Sequence, residues 1–144
     1  MVLGCWNCSG NVGNDRDRLL DLFGTIGMKQ SYRDLVVWQR AIDLVPVIYA
    51  LANRLPKSET YALADQLRRS VVSIPANIAE GQARIYPNEF RNFLSIAKGS
   101  LSELHTLLVV AERLNYLTGE ELSAVENHIA GVARPLAGLL TRMQ

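Results

Sequence analysis

An all-α, up-and-down antiparallel four-helix bundle preceded by a flexible N-terminal leader is the fold this sequence predicts, on three observations. From Tyr32 onward, apolar residues recur at alternating steps of three and four in four successive stretches. Short connections rich in Pro, Gly, Ser or Thr separate those stretches, which favours antiparallel sequential neighbours. No run shows the two-residue alternation of a strand. With 144 residues, 49% of them hydrophobic and 20% charged, the chain suits one domain whose single core needs no staple.

Residues 1–27 differ from the rest. They hold five of the ten glycines and both cysteines, with no sustained periodicity, and read as a disordered or non-native leader ahead of a bundle over 28–144. The patch from Arg18 to Phe23 has the makings of one helical turn, closed by Gly24 and Gly27. The leader lacks the basic and apolar regions of a secretory signal, so the expected compartment is the cytoplasm.

The first helix starts near Tyr32 and ends near Pro56, its stripe formed by Leu35, Trp38, Ile42, Val45, Tyr49 and Ala52. Pro46 lies inside it and predicts a kink rather than a break. Ser58 is the expected N-cap of the second helix, with Glu59 in its first turn. Leu63, Leu67, Val71, Ile74 and Ile78 form its stripe; Pro75 is internal, and Gly81 weakens the end, which falls between Gly81 and Arg84. Pro87 suits the first position of the third helix. There Phe90, Leu94, Ala97, Leu101, Leu104, Leu108 and Ala111 repeat without interruption over three heptads, the strongest periodic signal in the chain. Gly99 in mid-helix costs about 1 kcal/mol relative to Ala unless a close helix approach uses the missing side chain. Thr118 and Glu121 have capping-box spacing for the fourth helix, whose stripe is Leu122, Val125, Ile129, Val132, Leu136 and Leu139.

Function is written more faintly. Fifteen basic and fourteen acidic residues leave a net charge of +1, which provides no long-range field toward nucleic acid or anionic membrane. Charged residues interrupt every hydrophobic run, so no bilayer crossing is expected. His105 and His128 are the only histidines, and neither follows a carboxylate at the Glu-x-x-His spacing of di-iron bundles. Cys5 and Cys8 match Cys-x-x-Cys but lack both the strand-to-helix context of a redox pair and the further ligands of a zinc site. No phosphate loop, nucleophile elbow or zincin motif is present. The reading is therefore of a non-enzyme with no catalytic residue, metal or cofactor.

One surface stands out. Gln66, Arg69, Ser73, Asn77, Glu80 and Arg84 advance by threes and fours along the second helix, a hydrogen-bonding stripe beside the apolar one. It suits a solvated face, a subunit interface or, less readily, a polyanion site. Between Gln66 and Ser100 the cations Arg68, Arg69, Arg84, Arg91 and Lys98 outnumber Glu80 and Glu89, a local excess of +3 (five minus two). Phosphate contact is the natural use of such a patch.

Several segments together carry a resemblance. Leu35-Val36-Val37-Trp38 with Ala41 and Ile48-Tyr49, Gln66-Leu67-Arg68-Arg69-Ser70, the run from Ser73 to Gly81 containing Asn77-Ile78-Ala79-Glu80-Gly81, and Glu89-Phe90 with Phe93 to Ser100 and Glu103-Leu104 are the residues concerned. They resemble the bacterial four-helix-bundle proteins encoded in intervening sequences of large-subunit ribosomal RNA genes, over Tyr32 to about Leu117. The fourth helix is similar only in pattern. The resemblance implies an up-down bundle that assembles into a homopentamer, with likeness to the basic accessory variability protein of diversity-generating retroelements, which binds nucleic acid. Tyr86 departs from the family's usual Ser at the start of the third helix, and the near-neutral charge departs from the basic relative. The resulting expectation is a homo-oligomeric adaptor that binds RNA or DNA weakly through Arg68, Arg69, Arg84, Arg91 and Lys98, with Gln66, Ser73, Asn77 and Glu80 as interface or polar stripe. The alternative is an enzyme or small-ligand binder with its site between protomers.

Overall fold

The computed structural model describes residues 31–143. The expected leader and the Cys5/Cys8 pair lie outside them. Four helices follow in order: α1 (Val36–Ala52), α2 (Leu63–Gln82), α3 (Pro87–Arg113) and α4 (Gly119–Arg142), with short 3-10 turns at Tyr32–Asp34 and Lys57–Glu59. Among the described residues there is no strand. Helices adjacent in sequence pack side by side, α2 on α3 most extensively, and α4 returns to pack on α1. The four thus close into a ring around one core, the up-down arrangement that short connections impose.

The core is built from the stripes. Leu67, Val71, Ile74 and Ile78 of α2, Leu94, Leu104 and Leu108 of α3, and Val132 and Leu136 of α4 are all but fully buried, each worth about 1.5–3 kcal/mol relative to exposure. All seven residues of the expected α3 stripe are buried. By length and composition alone α3 is also apolar enough to cross a membrane. Its stripe, however, belongs to the bundle core, as happens in the central helix of many water-soluble bundles.

Elsewhere the structure corrects the expectation. The core face of α1 is Val37, Ala41, Leu44, Ile48, Leu51 and Ala52, so of the expected stripe Ala52 is buried and most of the rest is rotated onto the flank. Trp38 and Val45 are half-buried, and Ile42 and Tyr49 are exposed. The reason is that α1 is apolar on more than one side, so periodicity alone cannot choose its inward face. Nor does α1 begin at Tyr32: Ser31 and Asp34 form a capping box around the first 3-10 turn. Ser58 is not an N-cap. It sits within the turn Lys57–Glu59, and α2 starts at Leu63 with no side-chain cap from Ala62. Glu59 accepts weakly from Leu63 N at 3.4 Å. The Thr118/Glu121 box is present as expected, at 3.2 Å and 2.9 Å.

Pro46, Pro75 and Pro135 all lie inside continuous helices. Each removes a backbone donor, and tertiary packing of the flanking turns maintains the helix. The close helix approach sits at Gly81, not Gly99. A Cβ at Gly81 would lie 2.6 Å from Phe93 Cβ and 2.9 Å from Phe90 Cδ2, whereas one at Gly99 would meet nothing within 4 Å. At the far end, Asn115 adopts a positive φ of 59°. It lets Tyr116 N return to Ala111 O at 2.9 Å and ends α3.

Candidate assembly and nucleic-acid surfaces

The polar stripe of α2 divides into a seam and a rim. At the seam, Asn77 Nδ2 donates to Ser73 O at 2.7 Å and to Ser73 Oγ at 2.9 Å, and Ser73 Oγ lies 2.9 Å from Ser100 Oγ of α3. Buried Ser70 donates back to Gln66 O at 2.9 Å. No buried side-chain polar atom lacks a partner among the described residues. Such a satisfied network fixes the register of α2 against α3, because sliding either helix would leave half-buried amide and hydroxyl groups unpaired. Gln66 and Glu80 are exposed at the rim.

The five cations do not form one patch. Arg68 turns toward α1, where its Nη2 donates to Asn53 Oδ1 at 3.0 Å and its guanidinium lies 6.0 Å from the Tyr49 ring centroid. Arg69 pairs with Asp65 one turn away, Nε to Oδ2 at 2.9 Å. Arg84 pairs with Glu80 and lies 4.8 Å over the Phe93 ring. Only Arg91 and Lys98 of the five are exposed without such a partner. They precede His105 by fourteen and seven residues, so they share its face of α3. His105 bonds across to α4, through Nε2 to Glu126 Oε1 at 2.9 Å, which puts Arg91 and Lys98 on the opposite flank of α3 from the Ser73/Ser100 seam. The sequence count also stopped one residue short of Asp65. Including it lowers the local excess to +2, five cations against three carboxylates.

Besides Arg68–Asn53 and Ser73–Ser100, three cross-element bonds escaped sequence reasoning. These are His105 to Glu126, Arg54 to Glu121 at 2.5 Å, and Tyr116 Oη donating to Glu59 Oε1 at 3.2 Å. Nothing local signals them, since each joins residues far apart in the chain. Burial, and then the Glu59 carboxylate, push the Tyr116 hydroxyl above its ordinary pKa. The Thr118 amide, followed by Arg54, holds the Glu121 carboxyl below the usual range. Beside His105, a shallow groove of about 310 Å³ between α3 and α4 is lined by Leu101, Ser102, Glu126, Ile129, Ala130 and Ala133. Among the described residues no three His, Cys, Asp or Glu side chains gather as a metal site would require.

These features define a small all-helical bundle whose half-buried polar residues Ser73, Asn77 and Ser100 join α2 to α3. The chain belongs to the family of 23S rRNA-intervening sequence proteins, whose family model matches residues 33–138. The match runs well into α4, past the Leu117 limit of the resemblance seen in sequence. Among solved structures, the chain is similar to a protein of unknown function from the S23 ribosomal protein family of Bacteroides thetaiotaomicron VPI-5482. The two are 25% identical with a TM-score of 0.68, over 73% of this chain and 98% of the other. No curated protein matches.

Proposed function

We propose that this protein is a non-enzymatic, self-assembling adaptor of the cytoplasm that binds RNA or DNA weakly. One observation carries the assembly part: large apolar residues on the outward side of α3 that the protomer leaves part exposed. Ile96 and Leu114 are each about half exposed, at 51% and 50%, and Val110 lies between them on the same side of the helix, with the exposed Glu103 between Ile96 and Val110. Gly99 opens the backbone of that side, with nothing within 4 Å of where its Cβ would be. A mid-helix glycine costs about 1 kcal/mol and gains nothing inside this chain. A helix from a second copy could approach there closely and cover these residues. The resemblance noted above suggests closure of the ring at five copies.

Light scattering coupled to size-exclusion chromatography tests this, with Ile96→Glu/Val110→Glu as the disrupting variant. A closed oligomer that becomes a folded monomer in the variant supports the reading; a monomeric wild type at micromolar concentration overturns it. Nucleic acid added at low salt and displaced as salt rises would support the binding part. Arg91 and Lys98 are the contacts proposed for it, since the other three arginines are held by their own neighbours.

A further inference from the structure

We infer that copies of this chain associate head to tail, with the Glu103 side of α3 in one copy seated on a patch around Arg68, between α1 and α2, in the next. This deepens the assembly part of the reading above and rests on it. Each face is apolar with one uncompensated charge in its middle, and the two charges are opposite. On α3, Ile96, Glu103 and Val110 follow one another by sevens along one side of the helix. Glu103 is exposed and makes no ion pair among the described residues. On the other face, Ile42 and Tyr49 of α1 and Val72 of α2 are 39%, 37% and 42% exposed. Arg68 lies one turn before Val72, its guanidinium 6.0 Å from the Tyr49 ring centroid and its Nη2 donating to Asn53 Oδ1 at 3.0 Å. Those partners are neutral. They hold the guanidinium in place but leave its charge uncompensated and further N–H donors available, whereas Arg69 and Arg84 are neutralised by Asp65 and Glu80.

Charge and position decide the occupant. Helices α1 and α3 stand diagonally across the ring, so the two faces of one protomer cannot meet each other. A two-fold axis through either face would bring Glu103 near its own copy, or Arg68 near its own, and like charges brought together at an interface oppose association. Opposed faces instead bury a carboxylate against a guanidinium amid apolar side chains, and Gly99 admits the neighbouring helices closely. Other exposed cations of the helices suit the carboxylate less. Arg91 and Lys98 have Ser95 and Ser102 one turn away, and Arg40 has Asp43 three residues on. Arg134 stands among Ala130, Gly131, Ala137 and Gly138, which offer little apolar area. A heterologous contact of this kind repeats from copy to copy, so every protomer uses both faces.

Mixing variants of the full chain, with light scattering as the readout, tests the pairing. Ile96→Glu/Val110→Glu spoils the α3 face and Val72→Glu spoils the other, so each alone should be a monomer with wild-type helicity by circular dichroism. An equimolar mixture of the two should form a one-to-one dimer and stop there, because one intact face of each kind remains. Glu103→Arg and Arg68→Glu should each weaken assembly roughly a hundredfold, and the double reversal should restore it. A mixture that stays monomeric, or a Val72→Glu protein that assembles like wild type, overturns the head-to-tail pairing and leaves the assembly reading standing. A double reversal no better than the single ones overturns it too. A monomeric wild type overturns both.

Discussion

The α2–α3 pair and the α4 edges of the bundle are held by different means. Between α2 and α3 lie a four-residue turn, the glycine contact at Gly81 and the Ser73–Asn77–Ser100 network. Helix α4 fully buries only Val125, Val132 and Leu136. Its side-chain bonds to neighbours are the surface pairs of Glu121 with Arg54 and Glu126 with His105. Exposed ion pairs of this kind contribute about 0–1 kcal/mol each, whereas buried apolar contact and a satisfied polar seam resist opening far more. The difference teaches that a regular four-helix ring need not be uniform in strength. Helix α4 should open first, and its amides should exchange hydrogen faster than those of α2 and α3.

The largest effects should come from the core. Leu104→Ala in α3 is expected to cost about 2–5 kcal/mol, and Leu136→Ala in α4 a value nearer the lower end, because a looser helix collapses into the space. Urea unfolding of both variants checks this, and equal losses would erase the proposed asymmetry. Gly81→Ala should destabilise by about 1–3 kcal/mol through overpacking against Phe93 and Phe90. Gly99→Ala, by contrast, should stabilise a monomer by up to about 1 kcal/mol; calorimetry of the pair separates the two glycines. Asn77→Ala should cost about 1–3 kcal/mol by leaving the seam hydroxyls short of partners. Thr118→Ala should remove about 0.5–2 kcal/mol as a lost cap.

The smallest effect is in acid. The Glu121 pKa is depressed in the folded protein, so its contribution is present above the ordinary carboxylate range and is lost as pH falls through the lower folded-state value. A pH series of thermal midpoints in wild type and Glu121→Gln should therefore diverge at neutral pH and converge in strong acid.

How much of this was legible beforehand depended on whether a helix has one apolar side or two. In α2 and α3 one stripe is continuous from end to end while the outward apolar residues of α3, Ile96, Val110 and Leu114, are interrupted by Glu103, and Leu67, Ile74, Leu94 and Leu104 are buried as expected. In α1, Trp38, Ile42, Val45 and Tyr49 compete with Val37, Leu44 and Ile48, and only packing against α2 and α4 decides between them. The cap at Thr118 was readable because its partner is three residues away, while the role of Ser58 was overridden by a 3-10 turn. For the candidate surface, the charges were visible but their neighbours were not. Asp65 neutralises Arg69 from just outside the counted stretch, and Lys98 faces away from the α2 stripe that it seemed to join.

The bonds that tie the two loops of one end together have a mechanical consequence. Arg54 and Glu59, before α2, meet Glu121 and Tyr116, around the start of α4. The two connections are thereby clipped to each other like the jaws of a clothes peg, so strain along the bundle axis at that end should have to part Arg54 from Glu121 and Tyr116 from Glu59 before the helices splay.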